Sequence, residues 1–216
     1  MFKVNKLKKM GGDSLSFKMK IIKADMEYVT DNIYQHICNL DYDSRYFSRF
    51  CIDIYLSNEK SNKKKKIGFI SGRYFTPDDY IQDELTFLEI TDDIGEDIFD
   101  LAEEITGENE DIRPEIAKDL DTIPFIEEFY IEKQFRNSGI GSYVLSNLRE
   151  LFWYYARECI THYIVLPQPR VINHNRKFQN VSDANKDKYI LETKVHHFYI
   201  KNGFEYIENS KYMLKK

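Results

Sequence analysis

Several features that would classify a chain at once are missing from this one. No apolar run in its 216 residues approaches the ~18 that a membrane-spanning helix requires. The N-terminal stretch Met1 to Lys9 mixes lysine with isolated apolar residues, and it lacks the continuous hydrophobic segment of a secretory signal. Cysteine is scarce. Cys38, Cys51 and Cys159 are odd in number, widely spaced and outside any metal-ligand pattern. They read as reduced, mostly buried thiols of a cytoplasmic protein that holds no metal. No Gly-x-x-x-x-Gly-Lys-Ser/Thr run exists, which excludes a P-loop. No Ser/His/Asp or Cys/His set is recognisable, so nothing in the chain calls for a covalent enzyme intermediate. Internal repeats and low-complexity tracts are absent as well.

What is present fits one folded domain carrying an insertion. Aromatic residues make up 15% of the chain and charged residues 31%, which excludes disorder throughout and provides for a full core. The net charge of −5 is unevenly spread. Residues 1–15 form a lysine-rich, solvated leader that closes on the linker-like Gly11-Gly12-Asp13-Ser14. Asp78 to Asp121 is strongly acidic, with only Arg113 and Lys118 opposing. The acidic balance argues against nucleic acid as the main partner, and Lys63 to Lys66 reads as a polar hairpin turn.

Alternation marks Phe17 to Ile22 as a first strand. A helix headed by Asp25 follows, burying Tyr28, Val29, Ile33 and Ile37, and then a loop or short helix over Cys38 to Ser48. Phe50 to Leu56 and Ile67 to Tyr74 pair as a hairpin. Within the insertion, at about 76–121, Leu85 to Leu88 extends a strand. Ile94, Ile98, Leu101, Ala102 and Ile105 mark an amphipathic helix capped by Thr91 or Asp92. Further strands are expected at Ile123 to Ile131, at His162 to Leu166 and from Phe204 to the C-terminus. A polar loop spans Pro167 to Asp187, and Lys188 to Asn202 forms a last helix bearing Ile190, Leu191, Val195, Phe198 and Tyr199. The order β-α-β-β-(insert)-β-α-β-α-β predicts a mixed α/β (α+β) sheet with helices on both faces.

The densest information lies in Gln134-Phe135-Arg136-Asn137-Ser138-Gly139-Ile140-Gly141, between the apolar strand and a helix whose one face carries Ile140, Val144, Leu145, Leu148, Leu151, Phe152 and Tyr155. A glycine-bearing turn at a helix start presents unpaired N–H groups at the positive end of a dipole, a natural seat for phosphate oxygens. A dinucleotide fingerprint is excluded, because Val144 stands where a third glycine belongs and Leu166-Pro167-Gln168 where an acidic residue is wanted.

Arg136-x-x-Gly139-x-Gly141 after a strand resembles the acyl-CoA pyrophosphate loop of the GNAT N-acetyltransferase superfamily. His197-Phe198-Tyr199-Ile200-Lys201-Asn202-Gly203-Phe204 is similar to that family's second signature, an aromatic-Tyr-x-x-x-Gly-Phe closing a helix. The resemblance spans residues 17–214 apart from the insertion. It implies a central mixed, mostly antiparallel sheet over residues 16–216 and direct transfer of an acetyl group from acetyl-CoA to a primary amine of a small molecule or protein. It implies a cofactor site at Phe129, Tyr130, Ile131, Arg136, Asn137, Ser138, Gly139, Ile140, Gly141 and Ser142, where a backbone N–H near Phe129 to Ile131 polarises the thioester. Tyr199 is the implied proton donor to the thiolate, and Glu127 or Glu128 the base. Strand alternation allows at most one of these glutamates to face the acceptor, and a family bulge in this strand leaves open which. His196 and His197 are weaker candidates. The family's asparagine after the next strand has no counterpart at Pro167-Gln168. The acceptor is an amine, cationic if the acidic insertion attracts it, and the chain is a monomer or homodimer. The alternative is a GNAT-fold module that binds CoA or a partner protein without turnover.

Overall fold

A computed structural model describes residues 13–22, 46–58, 63–92, 94–116, 122–172, 178–181 and 187–216. The helix expected from Asp25 lies outside the described residues, as do Cys38 and most of the loop after it. β1 (Asp13–Ile22), β2 (Phe47–Asn58) and β3 (Lys63–Phe75) form an antiparallel meander. β1 begins at Asp13 rather than at Phe17, because Leu15 is buried and carries the alternation further back. Lys63 to Lys66 belong to β3 and not to the turn, pairing with Tyr55 to Asn58 of β2.

Among the described residues the regular elements of the insertion are helices, α1 (Pro77–Ile81), α2 (Phe87–Asp92) and α3 (Glu96–Ile105), followed by an isolated bridge between Thr106 and Ile112. The strand expected at Leu85 to Leu88 is instead the start of α2. Thr86-Phe87-Leu88-Glu89 is a capping box, in which the Thr86 N–H donates to Glu89 Oε2 at 2.8 Å and the Glu89 N–H to Thr86 Oγ1 at 3.3 Å. α3 starts after Gly95, not at Thr91 or Asp92, and it buries Ile98, Leu101, Ala102 and Ile105. Its last carbonyls are met by Arg113, whose Nη2 reaches Glu104 O at 2.9 Å.

β4 (Ile123–Ile131) leads through a single 3₁₀ turn at Lys133–Phe135 into α4 (Ile140–Ser146) and α5 (Leu148–Ala156). The expected single helix is thus broken at Asn147, whose amide side chain donates to Tyr143 O at 2.7 Å. Next come β5 (Tyr163–Val165), a small β6 (Arg170–Ile172) and β7 (Phe178–Asn180) hairpin within the segment expected to be loop, and α6 (Lys188–Lys201). Gly203 at φ 82° ends α6 as expected. β8 (Glu205–Tyr206) and β9 (Met213–Lys215) complete a seven-stranded sheet in the order β1-β2-β3-β4-β5-β9-β8. Only β4 and β5 run parallel, so the sheet is mixed and mostly antiparallel.

That sheet separates two cores. On one face Phe50, Ile52, Ile70, Tyr74 and Ile126 pack with Ile140, Val144, Leu148, Leu151 and Phe152 of α4 and α5, and with Tyr199 of α6. On the other, Phe75, Ile123, Phe125, Tyr212 and Leu214 pack with Phe87, Ile98, Leu101 and Ile105 of the insertion. The insertion is therefore a layer of the fold. Alternation along β4 explains the split, since Phe125 and Ile126 enter opposite cores.

Candidate functional site

β4 is where the sheet departs from regularity. Ser71 of β3 pairs with Glu128 and Gly72 with Ile126, so Glu127 is an extra residue, a β-bulge. Gly72 makes it possible. A Cβ there would collide with the carbonyl oxygen of Phe125 and stand 3.1 Å from the Glu127 nitrogen. The bulge also corrects the expectation, drawn from strict alternation, that the two glutamates point to opposite faces. Glu127 forms an ion pair with Arg73, and Glu128 accepts a hydrogen bond from Ser71 Oγ at 3.3 Å. Ser71 and Arg73 stand two apart on β3 and share a face, so both carboxylates lie on that face. It is the face covered further along by the insertion.

The other edge of β4 opens. β5 pairs with it only at Phe125 and Ile126, and β5 ends at Val165 while β4 continues to Ile131. Among the described residues no strand pairs with that edge from Glu127 onward. The Glu132 N–H donates to Ile67 O at 2.8 Å, toward β3. Alternation then points the Tyr130 amide the same way and directs the amides of Phe129 and Ile131 into the opening. Tyr130, expected in the cofactor grip, therefore meets the opening less directly than its neighbours. Its ring packs against Phe69 and beneath Arg136.

The loop folds back onto this strand. Arg136 Nε donates to Ile131 O at 2.8 Å, and Ser138 Oγ to Phe135 O at 2.5 Å. Asn137 and Gly139 take positive φ, 60° and 85°. The first intrahelical bond runs from the Tyr143 N–H to Gly139 O at 3.0 Å, so the N–H groups of Ile140, Gly141 and Ser142 precede the helical ladder. Gly139 faces open space, where an added Cβ would meet nothing within 4 Å. Gly141 differs, because a Cβ there would stand 3.0 Å from the Phe198 ring. Its small size serves helix packing, a reason different from the ligand approach expected for both glycines.

Phe198 joins the parts. Its ring lies 6.0 Å from that of Phe129 and 5.2 Å from that of Tyr199, while also covering Gly141. β4, the loop helix and the end of α6 thus meet at one aromatic contact. Tyr199 is only 6% exposed, with Phe204 edge-on at 5.1 Å. His196 shares a 2.8 Å hydrogen bond with the Tyr206 hydroxyl and His197 is exposed, which gives both a surface role. Beside the loop, the Lys65 ammonium holds the Glu132 carboxyl below its ordinary range. Burial, helped by Glu150, raises the Tyr143 hydroxyl. Cys159 is exposed rather than buried.

Arg73, Ser71, Gly72 and Phe198 were not singled out by sequence as site residues. Gly72 carried a readable signal, since a glycine inside a strand marks a bulge or a close backbone approach. The partners of Arg73 and Ser71 depend on register across β3 and β4, which has no local signature. Among the described residues no helix is long and apolar enough to cross a membrane, and no cluster of His, Cys, Asp or Glu could hold a metal ion.

No protein-family model matches the chain, and no curated sequence does. Solved structures superpose over most of its length at low similarity. The KacTA–DNA complex has 10% identity and TM-score 0.38, covering 92% of both chains. The AtaT toxin, in a mutant form bound to the C-terminus of the antitoxin AtaR, has 12% identity and TM-score 0.35, covering 92% of this chain and 91% of that one. Arabidopsis thaliana NAA60 with acetyl-CoA has 12% identity and TM-score 0.35, covering 89% and 88%. At that depth of likeness, function has to come from the chain's own strand, loop and final helix.

Proposed function

We propose that this protein is an N-acetyltransferase that moves an acetyl group from acetyl-CoA directly to a primary amine. The observation that carries this reading is one continuous unit: a β4 edge that no described strand pairs beyond Ile126, running into the Arg136-x-x-Gly139-x-Gly141 loop and a helix start without a side-chain cap. That donor set suits acetyl-CoA. The N–H groups of Ile140, Gly141 and Ser142 would hold the pyrophosphate, and the open side of Gly139 leaves room for it. The edge of β4 at Phe129 and Ile131 would hold the amide-bearing arm. When bound, acetyl-CoA supplies an activated acyl carbon and a thiolate leaving group.

The chain's own residues supply the rest. The Phe129 amide polarises the thioester carbonyl as its oxygen gains charge. A glutamate of the bulge takes the proton that the amine sheds, since a free alkylamine with a pKa of about 10 is mostly protonated at neutral pH. Tyr199 gives its proton to the thiolate. The glutamates lie on one face of the sheet and Tyr199 in the core of the other, and the reading requires both to reach the reacting atoms through the gap between β4 and β5.

The burial of Tyr199 also favours a rival, a CoA-binding module in which this ring only fills the core. Amine-dependent release of CoA thiol separates the two, using spermidine, glucosamine and a lysine-containing peptide as acceptors. The proposal expects release with at least one amine and an acetylated product by mass spectrometry. Acetyl-CoA that raises the melting temperature without turnover on any amine would assign the chain to the module instead.

A further inference from the structure

We infer that Phe198 is a positioning residue of the transfer: its ring sets how far the end of α6, and with it the Tyr199 hydroxyl, stands from the first turn of α4. This role rests on the acetyl-transfer reading and on the proton that Tyr199 gives in it, and it adds a residue to which that reading assigns no task. The seating of α6 is what calls for such a residue. Of Ile190, Leu191, Val195, Phe198 and Tyr199, the apolar residues that the sequence places on this helix, only Tyr199 is buried. Leu191, Val195 and Phe198 are half-buried, and Ile190 is 50% exposed. The helix is therefore anchored at its C-terminal end, and Phe198 is the side chain there that meets both α4 and β4.

Three contacts converge on its ring. The ring lies 6.0 Å from that of Phe129 and 5.2 Å from that of Tyr199. Its Cζ and Cε2 atoms stand 3.0 and 3.1 Å from where a Cβ of Gly141 would be. No methyl group fits that space without displacing the ring, so the ring edge rests directly on the α4 backbone. Gly141 belongs to the turn whose N–H groups the reading gives to the pyrophosphate. The ring thus spans the distance from the phosphate end of the site to its tyrosine. The backbone beneath it is also tied. The Asn202 side chain donates to Phe198 O at 2.7 Å and the Phe204 N–H to Tyr199 O at 3.1 Å, so residues 198 and 199 move as one piece of helix. With 3.6 residues per turn, seating Phe198 against α4 fixes the direction in which Tyr199 leaves the helix, toward Phe204 edge-on at 5.1 Å. A shift of the ring is carried to the Tyr199 hydroxyl, and a misplacement of about 1 Å can cost ~10²-fold in rate. Phe198 has no proton to give or site to take one, which confines it to positioning.

The test measures kcat and the KM for acetyl-CoA at saturating spermidine, glucosamine or lysine peptide, whichever the wild type acetylates, together with the acetyl-CoA thermal shift. Phe198→Leu should lower kcat by up to ~10²-fold with that KM and the thermal shift little changed. Should Phe198→Leu not fold, Phe198→Met, which keeps more of the ring's length, takes its place in every comparison. The deciding comparison repeats the substitution in a Tyr199→Phe background. A residue that acts through the Tyr199 hydroxyl has nothing left to position there, so Phe198→Leu should cost no further kcat, whereas independent effects would multiply. Wild-type kcat in Phe198→Leu, wild-type kcat in Tyr199→Phe, or equal losses from Phe198→Leu in the two backgrounds overturns the positioning role while the acetyltransferase stands. A wild-type protein that shows no acetyl-CoA shift removes the acetyl-transfer reading and this role together.

Discussion

Gly139 and Gly141 stand two residues apart and are glycine for different reasons. Gly139 occupies the left-handed region at φ 85° with open space on its free side. A β-branched residue there costs roughly 1–2 kcal/mol of backbone strain and intrudes where a phosphate would approach. Asparagine, which tolerates this conformation, relieves the strain. Gly139→Val should therefore lower urea-denaturation stability by about that amount and abolish the acetyl-CoA thermal shift, while Gly139→Asn keeps stability close to wild type. Gly141→Ala should instead destabilise through the Phe198 ring, 3.0 Å from the new methyl group, and Phe198→Leu should recover part of the loss in a double-mutant cycle. Both glycines were visible in the sequence as a loop signature. The separate reason for Gly141 was not, because it depends on a ring supplied by the distant α6.

At the scale of elements, the insertion is the largest surprise. Its residues were legible as an amphipathic helix from the spacing of Ile98, Leu101, Ala102 and Ile105, and α3 has that face buried. The capping box at Thr86 and Glu89 was also written in the sequence, but the apolar run Leu85 to Leu88 reads equally as strand when periodicity alone is weighed. What local pattern could not reveal is that α2 and α3 close the second core against Phe75, Phe125, Tyr212 and Leu214. Glu104 extends the tie, accepting from Ser210 Oγ at 2.5 Å and from the Lys211 N–H at 2.9 Å. Leu101→Ala should accordingly cost ~2–5 kcal/mol by chemical denaturation. Removal of residues 76–121 should leave a protein that does not fold, where a dispensable appendage would leave one that does. The β3–β4 end adds a pH dependence. The Lys65 bond lowers the Glu132 carboxyl in the folded state, so its contribution is present above the unfolded carboxyl range and is lost as pH falls through the lowered value. Lys65→Met should flatten that acid limb of the stability profile.

Across the whole molecule, the described sheet is a partition that opens where β5 stops pairing with β4. Glu127 and Glu128 stand on the insertion side and Tyr199 in the core beneath α4 and α5, and β5 leaves β4 after Val165. The main sheet strands β1 to β5, the loop helix and the final helix were readable in order from periodicity and turn residues, but the β6–β7 pair was not. The gap was not, because it arises from β5 stopping while β4 runs on, a matter of relative length that no single segment records. The proposed transfer gives Tyr199 a chemical task, and on that proposal Tyr199→Phe, which preserves the ring packing against Phe198 and Phe204, should lower kcat by ~10²–10⁴-fold with acetyl-CoA affinity unchanged. The most direct test of the account is a map of amide chemical shifts on adding acetyl-CoA to the isotopically labelled protein. The account predicts the largest changes at Phe129, Ile131 and Asn137 to Ser142, with smaller ones at Tyr130, whose amide faces β3. Saturable binding that leaves those amides unmoved, or no binding at all, would contradict it.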